Sequence, residues 1–233
     1  MKFVFTAIAY SSIALQSVLL ISLLIRGNFR RYPLLLVYSI VVLAATVAEV
    51  FVLNALGSRS TEYRHLYMAD EVIVDLLLFL MVIVMTYQAM GENPLRAKVG
   101  RLLAVVAIGA LCLPFILFRG PIFGLRWFFE TSQMLNFGGA IMNLALWTAL
   151  LGNKKRDRLL LSVSAGLGVA VTGAAITYGL IHFSWAAAGI ARNLVNLIKS
   201  VAYLVSLVIW CWTFWPFRKP KQPKPPPTPA TAT

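Results

Sequence analysis

The sequence predicts an all-α membrane protein: a seven-transmembrane-helix bundle, N-terminus outside and C-terminus cytoplasmic. Three observations predict it. Hydrophobic residues make up 60% of the 233-residue chain and charged residues only 12%, about half the charged share that a soluble domain carries. Apolar runs of roughly 20 residues, the length a helix needs to cross hydrocarbon, recur along the chain. Short basic clusters separate them, which is how membrane topology is written.

The spans are read at 3–25, 33–56, 66–90, 99–118, 127–151, 159–183 and 190–215. Each is too long, and too continuously apolar, for the short alternating segments of strands. Span 1 exceeds a signal-peptide core and ends at Arg26 with no small-x-small cleavage site, so it is read as retained. Span 3 carries Asp70, Glu71 and Asp75 in its first three turns. Span 4 contains Pro114, which removes a helical hydrogen bond and predicts a kink. Gly138, Gly139 and Ala140 in span 5 allow close helix approach. So do Ser162, Ser164, Gly166, Gly168, Ala170, Gly173 and Ala174 in span 6, where lipid removes the hydrophobic drive. Span 7 ends on Trp210, Trp212 and Trp215, expected at the inner interface, while Trp127 and Trp185 suit the outer one. Residues 1–217 are thus one transmembrane domain. Residues 218–233 (RKPKQPKPPPTPATAT) form a basic, proline-rich tail, expected to be disordered and to meet anionic lipid. Cys112 and Cys211 lie at different depths and are read as packed thiols rather than a disulfide.

Orientation follows from the cations. Arg26, Arg30, Arg31, Arg96, Lys98, Arg101, Lys154, Lys155, Arg156, Arg158, Arg218, Lys219, Lys221 and Lys224 fall on one side, fourteen in all. Lys2, Arg59, Arg64, Arg119, Arg126 and Arg192 make six on the other. Positive loops stay in the cytoplasm, which sets the N-terminus outside. The same distribution makes the net charge of +13 a topology signal, and nucleic acid is not an expected partner.

Charge at bilayer depth is costly and faces the bundle interior, where it tends to serve function. Glu49, Asp70, Glu71, Asp75, Glu130 and Lys199 sit in or at the mouth of spans, with Arg192 and His182 near span ends. With the orientation above, almost all fall in the outer half. Helical spacing resolves three stripes: Tyr67, Glu71, Asp75 and Phe79 on span 3; Gln133, Asn136, Ala140 and Asn143 on span 5; Arg192, Asn196, Lys199 and Tyr203 on span 7. Lipid cannot satisfy such groups, so the stripes are expected to face one another. Asp75 and Lys199 lie at matching depth, about 14 Å below the outer helix ends, and are expected to pair. Acids outnumber bases there, which suggests a protonated carboxyl or a bound cation. The ligand-binding set expected from this reading is Glu49, Tyr67, Glu71, Asp75, Glu130, Gln133, Asn136, Arg192, Asn196, Lys199 and Tyr203.

Several chemistries find no support. His65 and His182 are too few for a histidine-rich metal hydrolase. No nucleophile-elbow serine and no glycine-rich phosphate loop occurs. Lys199 and Asp75 match the general layout of a retinal lysine and its counter-ion. However, microbial rhodopsins carry an aspartate four residues before the lysine, where this chain has Val195. No catalytic residue, metal or cofactor is expected, and the chain is not read as an enzyme.

RRYP opening span 2, YRHLYMADEVIVDLLLFLMVIVMTYQ across span 3 and FETSQMLNFGGAIM in span 5 resemble uncharacterised bacterial seven-helix integral membrane proteins of similar length. Relatives place an aromatic and a glutamate where this chain has Asp70 and Glu71, and Lys199 is not a feature of that family. The resemblance implies architecture and a multi-pass location in the inner (plasma) membrane, with no activity attached. The domain also resembles the seven-helix sensor regions fused to bacterial histidine kinases. The expected function is a receptor or sensor module binding a small ligand or cation, with the bilayer, a cytoplasmic signalling protein or a second copy as partners. A proton-coupled or small-molecule transporter and a structural assembly subunit are the alternatives.

Overall fold

The computed structural model describes residues 2–25, 27–57, 60–91, 94–118, 121–152, 157–183 and 190–215, without the side chains of 2–6, 54, 152, 182–183 and 190–194. The tail 218–233, the cations Arg26, Arg59, Arg119, Lys154, Lys155 and Arg156, Trp185, and the side chains of Lys2, His182 and Arg192 lie outside the described residues.

Seven helices follow one another: α1 (Lys2–Ile25), α2 (Pro33–Leu56), α3 (Thr61–Ala89), α4 (Arg96–Leu117), α5 (Leu125–Gly152), α6 (Arg158–Phe183) and α7 (Ile190–Phe214). No strand occurs among the described residues. Local chemistry sets the boundaries. Pro33 starts α2 where its missing N–H costs nothing. Gly27 and Gly91 take positive φ in the turns after α1 and α3, a conformation open to glycine. The Ser60 hydroxyl caps α3 by accepting from Tyr63 N at 3.0 Å, so this helix begins five residues earlier than hydropathy alone places it.

Six helices, α1, α2 and α4 to α7, are long and apolar enough to cross a membrane. The chain is therefore a helical, multi-pass membrane protein. α3 is the least hydrophobic of the seven, because Glu62, Arg64, Asp70, Glu71 and Asp75 crowd its first four turns.

The packing order places the site. α1 packs on α2, α2 on α3, α3 on α6, α6 on α7 and α7 back on α1, which closes a ring of five helices. α3 and α7 face one another across it, with backbones more than 8 Å apart. α5 packs outside this ring against α3 and α6, and α4 packs against α3 and α5.

Toward the end of the bundle that carries the α1–α2 connection, the ring is filled by Leu19, Leu23, Leu35, Met81, Met85, Leu167 and Leu207. Trp210 is fully buried among them. It stands edge-on to Tyr38, with centroids 5.7 Å apart, and its indole N–H donates to Val163 O at 2.9 Å. This corrects the expectation of an interfacial Trp210. Trp212, two residues on and therefore on the opposite face of the helix, is 69% exposed. Close approach of α6 and α7 requires the small residues of α6. A Cβ on Gly166 would stand 2.4 Å from the Trp210 indole nitrogen, and one on Gly173 would stand 2.2 Å from Ala202 Cβ. Pro114 of α4 is buried, and its carbonyl accepts from the Trp127 indole at 3.1 Å. Both cysteines are free thiols: Cys211 is buried and Cys112 is exposed.

Candidate ligand site inside the helix ring

The gap between α3 and α7 is bridged by side chains rather than backbone. Lys199 of α7 reaches across and pairs with the Glu71 carboxylate of α3. The Tyr178 hydroxyl of α6 donates to the same carboxylate oxygen, and the Lys199 ammonium lies 5.2 Å from the Tyr178 ring centroid. One tyrosine thus serves both members of the pair: its edge donates to the anion and its face attracts the cation. Phe129 stands edge-on to that ring at 5.2 Å and fixes its position from α5.

Lys199 therefore pairs with Glu71, not with the expected Asp75. Equal depth along two helices does not set the angle around them. Asp75 lies one turn deeper than Glu71 and is 3% exposed. Its carboxylate is approached from α5 by Ser132 and Asn136, and Lys199 and Glu71 are within electrostatic reach. One oxygen of Asp75, Oδ2, is buried with no hydrogen-bond partner. Glu49 of α2 and Asp70 of α3 are half-buried near the end that carries the α2–α3 connection, and both feel Glu71 and Lys199 electrostatically. Four carboxylates thus share a single described lysine.

The remaining expected residues divide. Asn136 is buried, donates to Ser132 O at 2.9 Å and joins the Asp75 surroundings. The Tyr203 hydroxyl donates to Gln16 Oε1 at 3.2 Å, one step below Lys199 on the same face of α7. Tyr67 is 40% exposed and lies within electrostatic reach of Glu71 and Lys199 at the mouth of the site. Glu130 does not join. It accepts from Arg126 one turn earlier on α5, at 2.7 Å. Gln133 is half-buried, and Asn196 is exposed, turned away from the ring. The Arg192 backbone belongs to the first turn of α7, and its side chain is outside the described set. The stripes are thus only partly single faces, since Asn196 turns away from Lys199 and Tyr203, and of the three helices only α3 and α7 face each other across the ring. The polar part of α5 meets Asp75 from outside it.

Sequence reasoning missed Gln16, Tyr38, Ser39 and Tyr178. Gln16 is 2% exposed, donates to Ser39 O at 3.3 Å and accepts from Tyr203. The signal for it was present: a lone amide in the middle of span 1 must find partners inside the bundle. Tyr178 gave no such signal, since a tyrosine in an apolar run reads as packing. With these four, every helix of the ring supplies a polar group to its interior. Among the described residues no three His, Cys, Asp or Glu side chains converge as ligands for one metal ion.

No protein-family model matches the chain, and no similar curated protein or solved structure is found.

Proposed function

We propose that this chain is a seven-span, receptor-like module that binds a small ammonium-bearing ligand at the Glu71–Lys199–Asp75 site. In this reading α3 is the seventh span. Its 29 residues are long enough at about 1.5 Å each, and its deepest charged residues, Glu71 and Asp75, are turned into the protein rather than toward lipid. The imbalance of fourteen cations against six supports the outer side for the site, and the resemblance to bacterial seven-helix proteins supports the inner membrane.

The observation that carries the proposal is the buried, unpartnered Oδ2 of Asp75. A buried carboxylate oxygen with no donor costs more than one exposed to water, and Lys199 is already engaged by Glu71. An ammonium N–H supplies a donor for that oxygen and a second cation beside the four carboxylates. Access is available, because 31% of the Lys199 side chain and 40% of Tyr67 remain exposed. The test is thermal denaturation of the purified chain against a panel of primary to quaternary amines. A binding amine raises Tm by several degrees, and Asp75→Asn abolishes the shift. A panel without a hit, or a hit indifferent to Asp75→Asn, rejects the reading.

The hydrogen bonds from Tyr203 to Gln16 and from Gln16 to Ser39 favour a second reading. They continue the polar column below Lys199 and suit a proton-coupled carrier. Amine-driven proton flux in proteoliposomes supports the carrier. Binding without flux supports the receptor. If Lys199→Met with Asp75→Leu keeps full function, the site is a structural register pin.

A further inference from the structure

Seven buried side-chain oxygens have no hydrogen-bond partner among the described residues. They make two different demands. Those of Tyr32, Tyr38, Ser39 and Thr131 are hydroxyls, which turn to donate or to accept and so do not specify what meets them. Asp75 Oδ2, as a carboxylate oxygen, and the amide oxygens of Asn136 and Asn143 can only accept. Asn143 stands apart, two turns along α5 from Asn136 and against Gly168 on the α6 side.

The other two acceptors adjoin. Asp75 is 3% exposed and Asn136 1%, and the Asn136 amide stands beside the Asp75 carboxylate where α5 packs on α3. The amide cannot relieve itself by exchanging its ends. Its nitrogen already donates to Ser132 O at 2.9 Å, and turning it over would set its oxygen against that carbonyl. The nearby donors are spent as well. Lys199 and Tyr178 direct theirs to Glu71, and the single O–H of Ser132 serves at most one acceptor. A buried acceptor without a donor is costly, and here two share one place.

Two adjoining acceptors count the hydrogens of whatever meets them. A quaternary ammonium brings charge and no N–H. The aromatic face that suits such a head, that of Tyr178, is already taken by Lys199. A tertiary ammonium brings one N–H and leaves one oxygen bare. A secondary or primary ammonium brings at least two. We infer that the site selects a primary or secondary ammonium, with one N–H donated to Asp75 Oδ2 and another to Asn136 Oδ1. This rests on the ammonium reading and narrows it: Asp75 attracts the charge, and Asn136 sets the selectivity.

The test uses the full chain in phosphatidylcholine nanodiscs. The probes are butylamine, N-methylbutylamine, N,N-dimethylbutylamine and butyltrimethylammonium, all cations at neutral pH, with three, two, one and no N–H. Affinity is read from the concentration dependence of Tm. The first two should bind alike. Affinity should then fall about ten- to a hundredfold at the third probe and again at the fourth, the range one hydrogen bond to a charged group supplies. Asn136→Leu removes one acceptor, so it should erase the first fall and keep the second. Should that variant not fold, the series on the parent chain decides alone. An even decline along the series, or none, overturns the inference and leaves the ammonium reading standing. So does a first fall that survives Asn136→Leu. Binding by no probe rejects the ammonium reading, and this inference with it. A rise in Tm when sodium chloride replaces potassium chloride at equal ionic strength, lost in Asn136→Leu, would assign the two oxygens to a metal cation and also overturn the inference.

Discussion

Lys199–Glu71 and Arg31–Asp157 each set one cation against one carboxylate, at opposite ends of the same bundle. The first lies inside the ring, with the Lys199 side chain 31% and the Glu71 side chain 14% exposed. The second joins the α1–α2 connection to the start of α6 at the surface, with side chains 55% and 34% exposed. Around the inner pair the partners are further titratable groups: Asp70, Asp75, Glu49 and Tyr178. Around the outer pair they are backbone N–H groups and an aromatic face. Asp157 Oδ1 accepts from Leu159 N and Leu160 N at 3.0 and 3.3 Å, and Arg31 lies 5.6 Å from the Tyr32 ring centroid. Identical charges therefore hold different things. The inner pair holds two helices whose backbones never meet. The outer pair decorates a helix cap that would stand without it.

The contrast predicts its largest effect at Lys199. Among the described residues, Lys199→Met leaves Glu71 with Tyr178 as its one remaining side-chain donor and leaves Asp75 without a nearby cation. Removing one partner of a buried pair costs about 3–5 kcal/mol, because the other charge stays buried. Unfolding in a dodecyl sulfate titration should show a loss of that size. Lys199→Met with Glu71→Gln should recover most of it. If the double variant is no more stable than the single one, the pair is not the unit that joins α3 to α7, and the comparison breaks.

How much of this was legible in the sequence follows from the same physics. Helix number and bounds were readable to within a few residues, because hydrocarbon thickness and caps act locally. α3 is the exception, and its early start came from Ser60, a cap that hydropathy does not register. That Glu71, Asp75 and Lys199 lie in one cluster was readable from periodicity and cost. Their pairing was not. Periodicity gives a face on each helix, but the rotation of one helix against another is set by packing, here by Trp210 against Gly166 and Ala202 against Gly173. Tyr178 escaped for a related reason: its hydroxyl reaches Glu71 and its ring reaches Lys199 only because α6 neighbours both α3 and α7.

A smaller effect is expected at Asp157, which has two jobs that substitution can separate. Asp157→Ala removes the ion pair and the acceptor for two α6 amides, and loss of such a cap costs about 0.5–2 kcal/mol. Asp157→Asn keeps the acceptor and discards the charge, and asparagine caps about as well as aspartate. Hydrogen exchange at Leu159 and Leu160 should accelerate in the alanine variant and stay near the parent rate in the asparagine variant. If asparagine is as harmful as alanine, the charge rather than the cap holds this end, and the two pairs are more alike than their burial implies.

The smallest effect belongs to Arg31. Exposed pairs contribute about 0–1 kcal/mol, because water and salt screen them and two long side chains must be held still. Arg31→Ala also loses the contact with the Tyr32 ring, so a raw difference mixes two contributions. Ionic strength separates them. Near 1 M salt the screening length falls to about 3 Å, which weakens an exposed ion pair but leaves apolar contact with a ring in place. The gap between parent and Arg31→Ala should therefore shrink as salt rises and level off at the ring contribution. The same salt series on Lys199→Met should leave most of its larger gap intact, since a partly buried pair is screened much less than an exposed one. If both gaps close together, Lys199 is as wet as Arg31, and the ring is an open vestibule rather than a buried site.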